Sequence, residues 1–252
     1  MVMSDGGAGL GWVVSLVCDD SVTMSGVRWE VGPPGRLLQE SPGGPPEARG
    51  GAVVTVGKDV SQVERRLAAG LLVCPRCGGL LGPWGHARTR RLRGAVSPFR
   101  PRRTRCGDCR STHVLLPVNA LVRRADEAVV IGAGMVLAAA GWGHRRIAAW
   151  LGRPAGTVRG WVRRMRERAQ VLRVGFTELL VAVDPDPVVP DPGGSALAEA
   201  IAVIAAAAAA TARRWGVAVS GLSAWELAAA VTSGGLLTPT GLVVSINTSC
   251  PW

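Results

Sequence analysis

The chain has 252 residues and a formal net charge of +11, from 29 basic and 18 acidic side chains, and this length suits one large or two small domains. No stretch of about 20 residues is convincingly membrane-spanning, because the closest, residues 196–212, is mostly alanine with Glu199 inside it. The N-terminus lacks the basic region of a secretory signal, so we expect neither an oxidising compartment nor a membrane location.

The positive charge is concentrated in the middle of the chain. Residues 61–173 carry 23 arginines and five acidic residues, a net +18, whereas the remainder has six basic and thirteen acidic residues, a net −7. A field concentrated in one segment is typical of nucleic-acid binding. A codon bias toward arginine would not leave the flanks acidic.

The N-terminal segment, residues 1–57, is rich in Gly, Pro and small side chains. This composition predicts a low-complexity extension that is disordered or not native to the protein. Residues 58–70 then place Val60, Val63 and Leu67 at helical spacing, which predicts a short helix.

Four cysteines follow in a C-x2-C-x28-C-x2-C pattern, formed by Cys74, Cys77, Cys106 and Cys109. Two C-x-x-C turns can direct four thiolates at one ion, so the spacing predicts one structural Zn²⁺ with no open coordination position. Disulfides, a redox motif and chance are the competing interpretations. Cys18 and Cys250 fit no pattern and are interpreted as free thiols.

The predicted zinc ribbon spans residues 58–117. Residues 87–93 and 101–106 are expected to form the two arms of a hairpin, and residues 112–117 a third strand. His86 and His113 are near the cysteines, but four thiolates suffice, so each is interpreted as a surface or loop histidine.

Helical patterns begin after residue 117. Residues 125–141 predict a helix whose first turn holds Asp126 and Glu127, where acidic side chains suit the helix dipole. Residues 144–151 predict a second helix, which Gly152 ends, and a third begins after Pro154.

The third helix is predicted to have two different faces. Val158, Trp161, Val162 and Met165 follow the i, i+3, i+4, i+7 spacing of a buried face, while arginines line another. Residues 118–173 therefore predict a three-helix helix-turn-helix DNA-binding domain. An ordinary helical hairpin with a solvated arginine face is the alternative.

The candidate DNA contacts lie on this domain and on the ribbon. The start of the third helix is expected to contact base edges, and the later arginines, Arg168 among them, phosphates. The candidate residues are Thr157, Arg159, Arg163, Arg164, Arg166, Arg145, Arg146, Arg102, Arg103 and Arg105.

The C-terminal third predicts a linker and two helices. Residues 174–194 are predicted to be a Pro/Asp-rich linker, in which Asp184, Asp186 and Asp191 are solvated rather than catalytic. Residues 195–252 are predicted to be a small helical region, in which one helix starts after Ser195 and a second opens with a capping box of Ser223 and Glu226. Their alanine-rich faces are expected to pack on each other, on the three-helix unit or on a second copy. We expect no enzymatic activity, because no catalytic set accompanies these acids.

Residues 58–173, with "LLVCPRCGG", "RCGDCRSTHVLLP" and "GHRRIAAWLGRPAGTVRGWVRRM", resemble an uncharacterised actinobacterial family of zinc-ribbon plus helix-turn-helix proteins, identified as domain of unknown function 6431. The layout is similar to the DNA-binding N-terminal part of insertion-sequence transposases. The resemblance implies contact with DNA, in transposition or in the regulation of a mobile element.

The expected fold is mainly α with a small β zinc ribbon, its three-helix domain followed by a short α-helical region. The expected function is sequence-specific binding of double-stranded DNA by a cytoplasmic, nucleoid-associated protein, for which a second copy of the chain is a candidate partner in a homodimer. One alternative is an accessory or truncated transposase subunit that needs a catalytic partner. Another is an RNA- or protein-binding adaptor whose partner packs on the region of Trp142, Trp150 and Trp161.

Overall fold

The computed structural model describes residues 52–219 and 221–238, which form a four-stranded mixed sheet and six α-helices. A mainly α fold with a smaller β part is thus confirmed. The predictions for residues 1–51, Cys250 and the rest of residues 239–252 lie outside the described residues. The elements, in chain order, are β1 (Ala52–Val56), α1 (Val60–Ala68), β2 (Leu81–His86), β3 (Arg102–Cys106), β4 (Thr112–Pro117), α2 (Ala128–Ala139), α3 (His144–Leu151), α4 (Ala155–Val183), α5 (Ala196–Trp215) and α6 (Ala224–Val231).

The sheet has the strand order β1-β4-β3-β2, with β1 parallel to β4 and the other neighbours antiparallel. Strand β1 corrects the prediction that the unstructured extension reaches residue 57. Val54 and Val56 are buried on one face of β1 with Leu115. Thr55, on the opposite face, donates a hydrogen bond of 3.1 Å to the carbonyl oxygen of Ala230. Pairing with a distant strand and burial of alternate valines therefore order this segment.

The hairpin arm that pairs with β3 is β2, not residues 87–93 as predicted. Leu81 is buried directly after the first cysteine turn and pairs with Cys106, so the strand begins there. Residues 87–93 instead follow an irregular path, in which Arg90 forms an isolated bridge with Phe99. Only Leu92 of this run is buried, so the run has no alternating apolar face to hold it as a regular strand. The predicted third strand is confirmed as β4.

Helix α1 forms as predicted and covers one face of the sheet. The carboxylate of Asp59 accepts hydrogen bonds from the backbone N–H groups of Ser61 and Gln62 at the helix start. Val63 and Leu67 are buried against the sheet, whereas Val60, in the first turn, is 69% exposed.

Helix α2 begins at Ala128 with Glu127 as its N-cap residue, so neither Asp126 nor Glu127 sits in the first turn as predicted. Asp126 is instead buried and accepts hydrogen bonds from Arg93 Nη2 at 2.9 Å and Arg153 Nε at 2.5 Å. Arg93 belongs to the irregular segment after β2, and Arg153 to the connection between α3 and α4. This carboxylate therefore joins the sheet region to the helices.

Helix α4 continues ten residues beyond the end predicted for the DNA-binding domain, to Val183. The prediction that the linker begins at residue 174 is wrong for residues 174–183. Phe176, Leu179, Leu180 and Val183 extend the buried stripe of the helix, and burial of this stripe stabilises the additional turns. The non-helical connection therefore covers only residues 184–195.

The C-terminal helices are part of the same core as α2, α3 and α4. Both starts are as predicted, with Ser195 capping α5 and a capping box of Ser223 and Glu226 at α6. Helix α5 packs mainly along α4, and α6 contacts α2 and α5. Gly132 of α2 lies directly against the indole of Trp225. The C-terminal helices therefore pack both on each other and on the three preceding helices, which are two of the three predicted arrangements.

Among the described residues, α5 is the helix long and apolar enough to cross a membrane by length and composition. One stripe of α5 is buried against its neighbours and includes Leu197, Val203 and Ile204. A helix buried in a protein core can have the same length and apolar composition, so these properties alone do not indicate a membrane span.

Candidate metal centre and basic surface

The four predicted cysteines converge on one point beside the sheet. All four Sγ atoms lie within 4.8 Å of one another, with Cys74 and Cys109 3.6 Å apart and Cys77 and Cys106 3.5 Å apart. Sulfurs at the corners of a tetrahedron with metal–sulfur bonds of about 2.3 Å would be about 3.8 Å apart. The cluster can therefore hold one metal ion in a closed four-sulfur shell.

Backbone hydrogen bonds shape both cysteine turns. In the first turn, the N–H of Gly78 donates to the carbonyl of Cys74 at 2.9 Å, and Gly78 adopts a φ of +74° that favours glycine. In the second, the N–H of Cys106 donates to Ser111 at 2.9 Å and that of Gly107 to Leu80 at 3.0 Å. The hydrogen bond from Gly107 to Leu80 joins the second cysteine turn to the residue just before β2, which follows the first cysteine turn.

The thiols differ strongly in acidity because their surroundings differ. Burial raises the pKa of Cys74 to about 12. A side-chain hydrogen bond from Ser111, together with its backbone N–H, lowers the pKa of Cys109 to about 6. A metal binds thiolates, so an ion at this site would displace the proton of Cys74 near neutral pH.

His113 is a residue whose environment the sequence interpretation missed. It is 1% exposed rather than on the surface, and its Nε2 lies 3.3 Å from the Sγ of Cys74. His113 and Leu115 are two residues apart on β4, and this period-2 spacing was the available signal that His113 points inward. A ring N–H at this distance can donate to the sulfur and stabilise its thiolate form. His86, by contrast, is exposed near Arg102.

The three candidate arginines of the ribbon have different environments. Arg102 pairs with Glu64 at 3.1 Å and donates to the carbonyl of Gly85 at 3.3 Å, so its guanidinium stabilises the sheet region itself. Arg103 is exposed. The guanidinium carbon of Arg105 lies 4.7 Å from the ring centroid of Trp84.

The candidates on α3 and the start of α4 lie near the connection between these helices. Arg145, Arg146 and Arg159 are exposed and Thr157 is partly buried. The guanidinium of Arg146 stacks on Trp142, 3.6 Å from the ring centroid.

The later arginines of α4 lie in different environments. Arg163 pairs with Glu167 at 2.8 Å, Arg164 donates to the carbonyl of Gly160 at 3.0 Å, and Arg166 is exposed. Arg168 is 9% exposed and donates to the carbonyl oxygen of Thr238. The expectation that Arg168 contacts phosphate is wrong, because its side chain is held inside the protein.

The acidic residues after α4 do not converge with the cysteines. Asp184 accepts a hydrogen bond of 2.5 Å from Arg213, and this contact lowers the pKa of its carboxyl group. Within residues 52–219 and 221–238, the four cysteines are the group of metal-ligating side chains that comes together.

No protein-family model matches the chain, and no curated protein or solved structure is significantly similar to it.

Proposed function

We propose that this protein binds double-stranded DNA through α3 and the first turns of α4. The observation that carries the proposal is the division of α4 into two faces. Val158, Trp161 and Met165 are buried in the core, while Arg159 and Arg166 are exposed. A helix anchored on one side and carrying long planar donors on the other suits insertion into the major groove.

The connection before α4 supports the same proposal. Residues 152–154 separate α3 from α4, and Gly152 ends α3 with a φ of +62°. Ala148 is 3% exposed, and its small side chain allows the two helices to approach closely. A short turn between a supporting helix and a basic helix is the layout of a helix-turn-helix.

In this proposal the cysteine cluster holds one structural Zn²⁺. Four sulfur donors in a closed shell favour zinc and leave no coordination position for a substrate. The metal would fix the two cysteine turns against each other, and with them the sheet that carries Arg103 and Arg105. The protein would then act by binding rather than by catalysis, in the cytoplasm near the nucleoid.

The adaptor alternative depends on the tryptophans of the helical region. Trp161 is 2% exposed and belongs to the core, so it is not available to a partner. Trp150 is 62% exposed and Trp142 is covered in part by Arg146. Association with a mobile element or a transposase is supported by the resemblance in sequence layout.

The test is a selection of binding sites by the full chain purified with zinc. A random double-stranded pool is incubated at about 150 mM salt, where purely electrostatic binding has weakened, and the retained molecules are sequenced. We expect a recurring motif. Arg159→Ala should relax preference at one or two base pairs, whereas Arg166→Ala should weaken binding to all sequences alike.

The matched control is Arg214→Ala, which removes one exposed positive charge from the far end of α5. It should change neither the motif nor the affinity beyond the small effect of net charge. Retention without any motif, or equal effects of Arg159→Ala and Arg214→Ala, would contradict the proposed role of α4.

A further inference from the structure

Strand β2 presents an exposed tryptophan at the edge of the sheet. The strand order places β2 outermost, and residues 83–86 are all exposed. Trp84 is 52% exposed, although an indole usually contributes most when buried. Gly85 follows it with open space where a side chain would begin, so the ring is not crowded by that neighbour.

Arg105 of the adjacent strand β3 contacts this ring. Its guanidinium carbon lies 4.7 Å from the ring centroid, and its Nε donates to the carbonyl of Arg110 at 3.3 Å. The hydrogen bond and the cation–π contact together orient both side chains. The indole is therefore held in place while about half of it remains open to solvent.

The surroundings of Trp84 are strongly basic. Residues 65–107 contain eleven arginines and no acidic residue. Those exposed on β3 and in the segment between β2 and β3 include Arg88, Arg90, Arg100 and Arg103. Such a field attracts a polyanion such as the phosphate backbone of nucleic acid.

An exposed aromatic ring among arginines fits unpaired nucleotides better than a duplex. Bases within an intact duplex are stacked on each other and offer no free face, whereas single-stranded bases stack on aromatic side chains. Contact with phosphates alone would need the arginines but not the indole. A protein partner would be expected to meet a wider apolar patch than one ring flanked by Pro83, Gly85 and arginines.

We propose that the β2 edge of the sheet binds single-stranded DNA, with a base stacked on Trp84 and the phosphates contacting the neighbouring arginines. This site goes beyond the duplex contact proposed for α4 and does not depend on it. A protein with both sites would hold a duplex next to an unpaired strand.

The experiment measures fluorescence anisotropy of a labelled oligothymidylate of about 20 nucleotides, titrated with the zinc-loaded full chain at about 150 mM salt. Trp84→Ala should weaken binding by about five- to one-hundred-fold, the loss typical of one base stack, and Trp84→Phe should restore most of it. Trp150→Ala, which removes another exposed tryptophan, should leave the affinity unchanged.

A second probe separates stacking from charge. An abasic oligomer of the same length should bind more weakly than the oligothymidylate, and Trp84→Ala should not change its affinity. Equal affinity for both oligomers, or no effect of Trp84→Ala on the oligothymidylate, would overturn the proposal. Displacement of the oligomer by polyglutamate at the same charge concentration would also overturn it, in favour of an acidic protein partner.

A third comparison separates this site from the one proposed for duplex DNA. Arg159→Ala should leave oligothymidylate binding unchanged, whatever it does to the duplex. A parallel loss of both affinities in this variant would refute a separate single-strand site. Zinc content and far-UV circular dichroism confirm that each variant is folded.

Discussion

Replacement of Gly132 by alanine tests whether the C-terminal region is part of the core formed by α2, α3 and α4. A Cβ at this position of α2 would lie 2.2 Å from the Cγ and Cδ2 atoms of Trp225, far inside van der Waals contact. Trp225 is on α6, so the clash exists only if α6 packs on α2 as described.

The magnitude follows from two opposing effects. Alanine in place of glycine inside a helix stabilises it by about 1 kcal/mol. Forcing a methyl group into a filled site costs about 1–3 kcal/mol, and the rigid indole has no flexible end that can move aside. A clash of 2.2 Å with a rigid ring falls in the upper part of that range, at about 2–3 kcal/mol. After the helix preference is subtracted, we expect Gly132→Ala to lower the free energy of unfolding by about 1–2 kcal/mol in urea titrations of the zinc-loaded protein.

Gly134→Ala is the matched control on the same helix. Its Cβ would lie 3.2 Å from the Cδ1 atom of Leu151, which is the end of a flexible side chain. The helix preference should then prevail, so the free energy of unfolding should stay the same or rise by up to about 1 kcal/mol. In the background of Trp225→Leu, Gly132→Ala should lose its penalty. If Gly132→Ala proves as stable as Gly134→Ala, then α6 does not pack on α2 in solution.

Three further predictions concern the metal and the buried carboxylate. Removal of the metal by a chelator should abolish hydrogen-exchange protection in β2, β3 and β4 while α4 and α5 stay protected, and uniform loss in all of them would contradict a local role for the metal. Zinc affinity should fall with decreasing pH, and more steeply below about pH 6. Cys109 has a pKa of about 6, so it is a thiolate above that pH and must lose a proton to bind zinc below it. Competition titrations with a zinc chromophore that show no change of slope near pH 6 would refute this. Asp126→Asn should lower the free energy of unfolding by about 2–3 kcal/mol, since it leaves Arg93 and the mostly buried Arg153 without their shared carboxylate. Asp186→Asn, at an exposed carboxylate, is its control. An equal change in the free energy of unfolding for both variants would show that the ion pairs of Asp126 contribute nothing to stability.

The parts of the fold that depend on neighbouring residues could be predicted from the sequence. The short spacing within each pair of cysteines was sufficient to predict the cysteine cluster, because a C-x-x-C turn fixes two thiols within one local structure. The same holds for the end of α3 at Gly152 and the capping box at Ser223, where the signal lies within four residues.

The parts that depend on distant partners could not be predicted in the same way. Strand β1 is ordered by parallel pairing with β4, about sixty residues later, so its own Gly-rich surroundings favoured disorder. The last turns of α4 are stabilised by the stripe that contains Phe176 and Leu180, yet the Pro/Asp-rich run that follows them suggested a linker. The hairpin arm was misplaced for a similar reason. Residues 87–93 were predicted to pair with β3, whereas the pairing strand is β2, which precedes them.

The contacts between β1 and α6 also determine the order in which this protein completes its fold during synthesis. Thr55 hydrogen-bonds to Ala230, which is 175 residues later, and Lys58 pairs with Glu226 at 2.9 Å. At about 5–20 residues per second, a ribosome needs roughly 10–35 s between making these two ends. During that interval β1 can pair with β4, but Thr55 cannot form its hydrogen bond to Ala230 until α6 has been made. The native arrangement of sheet and helices is therefore reached only when the C-terminal helices have been made, so shortened chains that end before α6 would leave Thr55 without this partner and part of this face of the sheet uncovered.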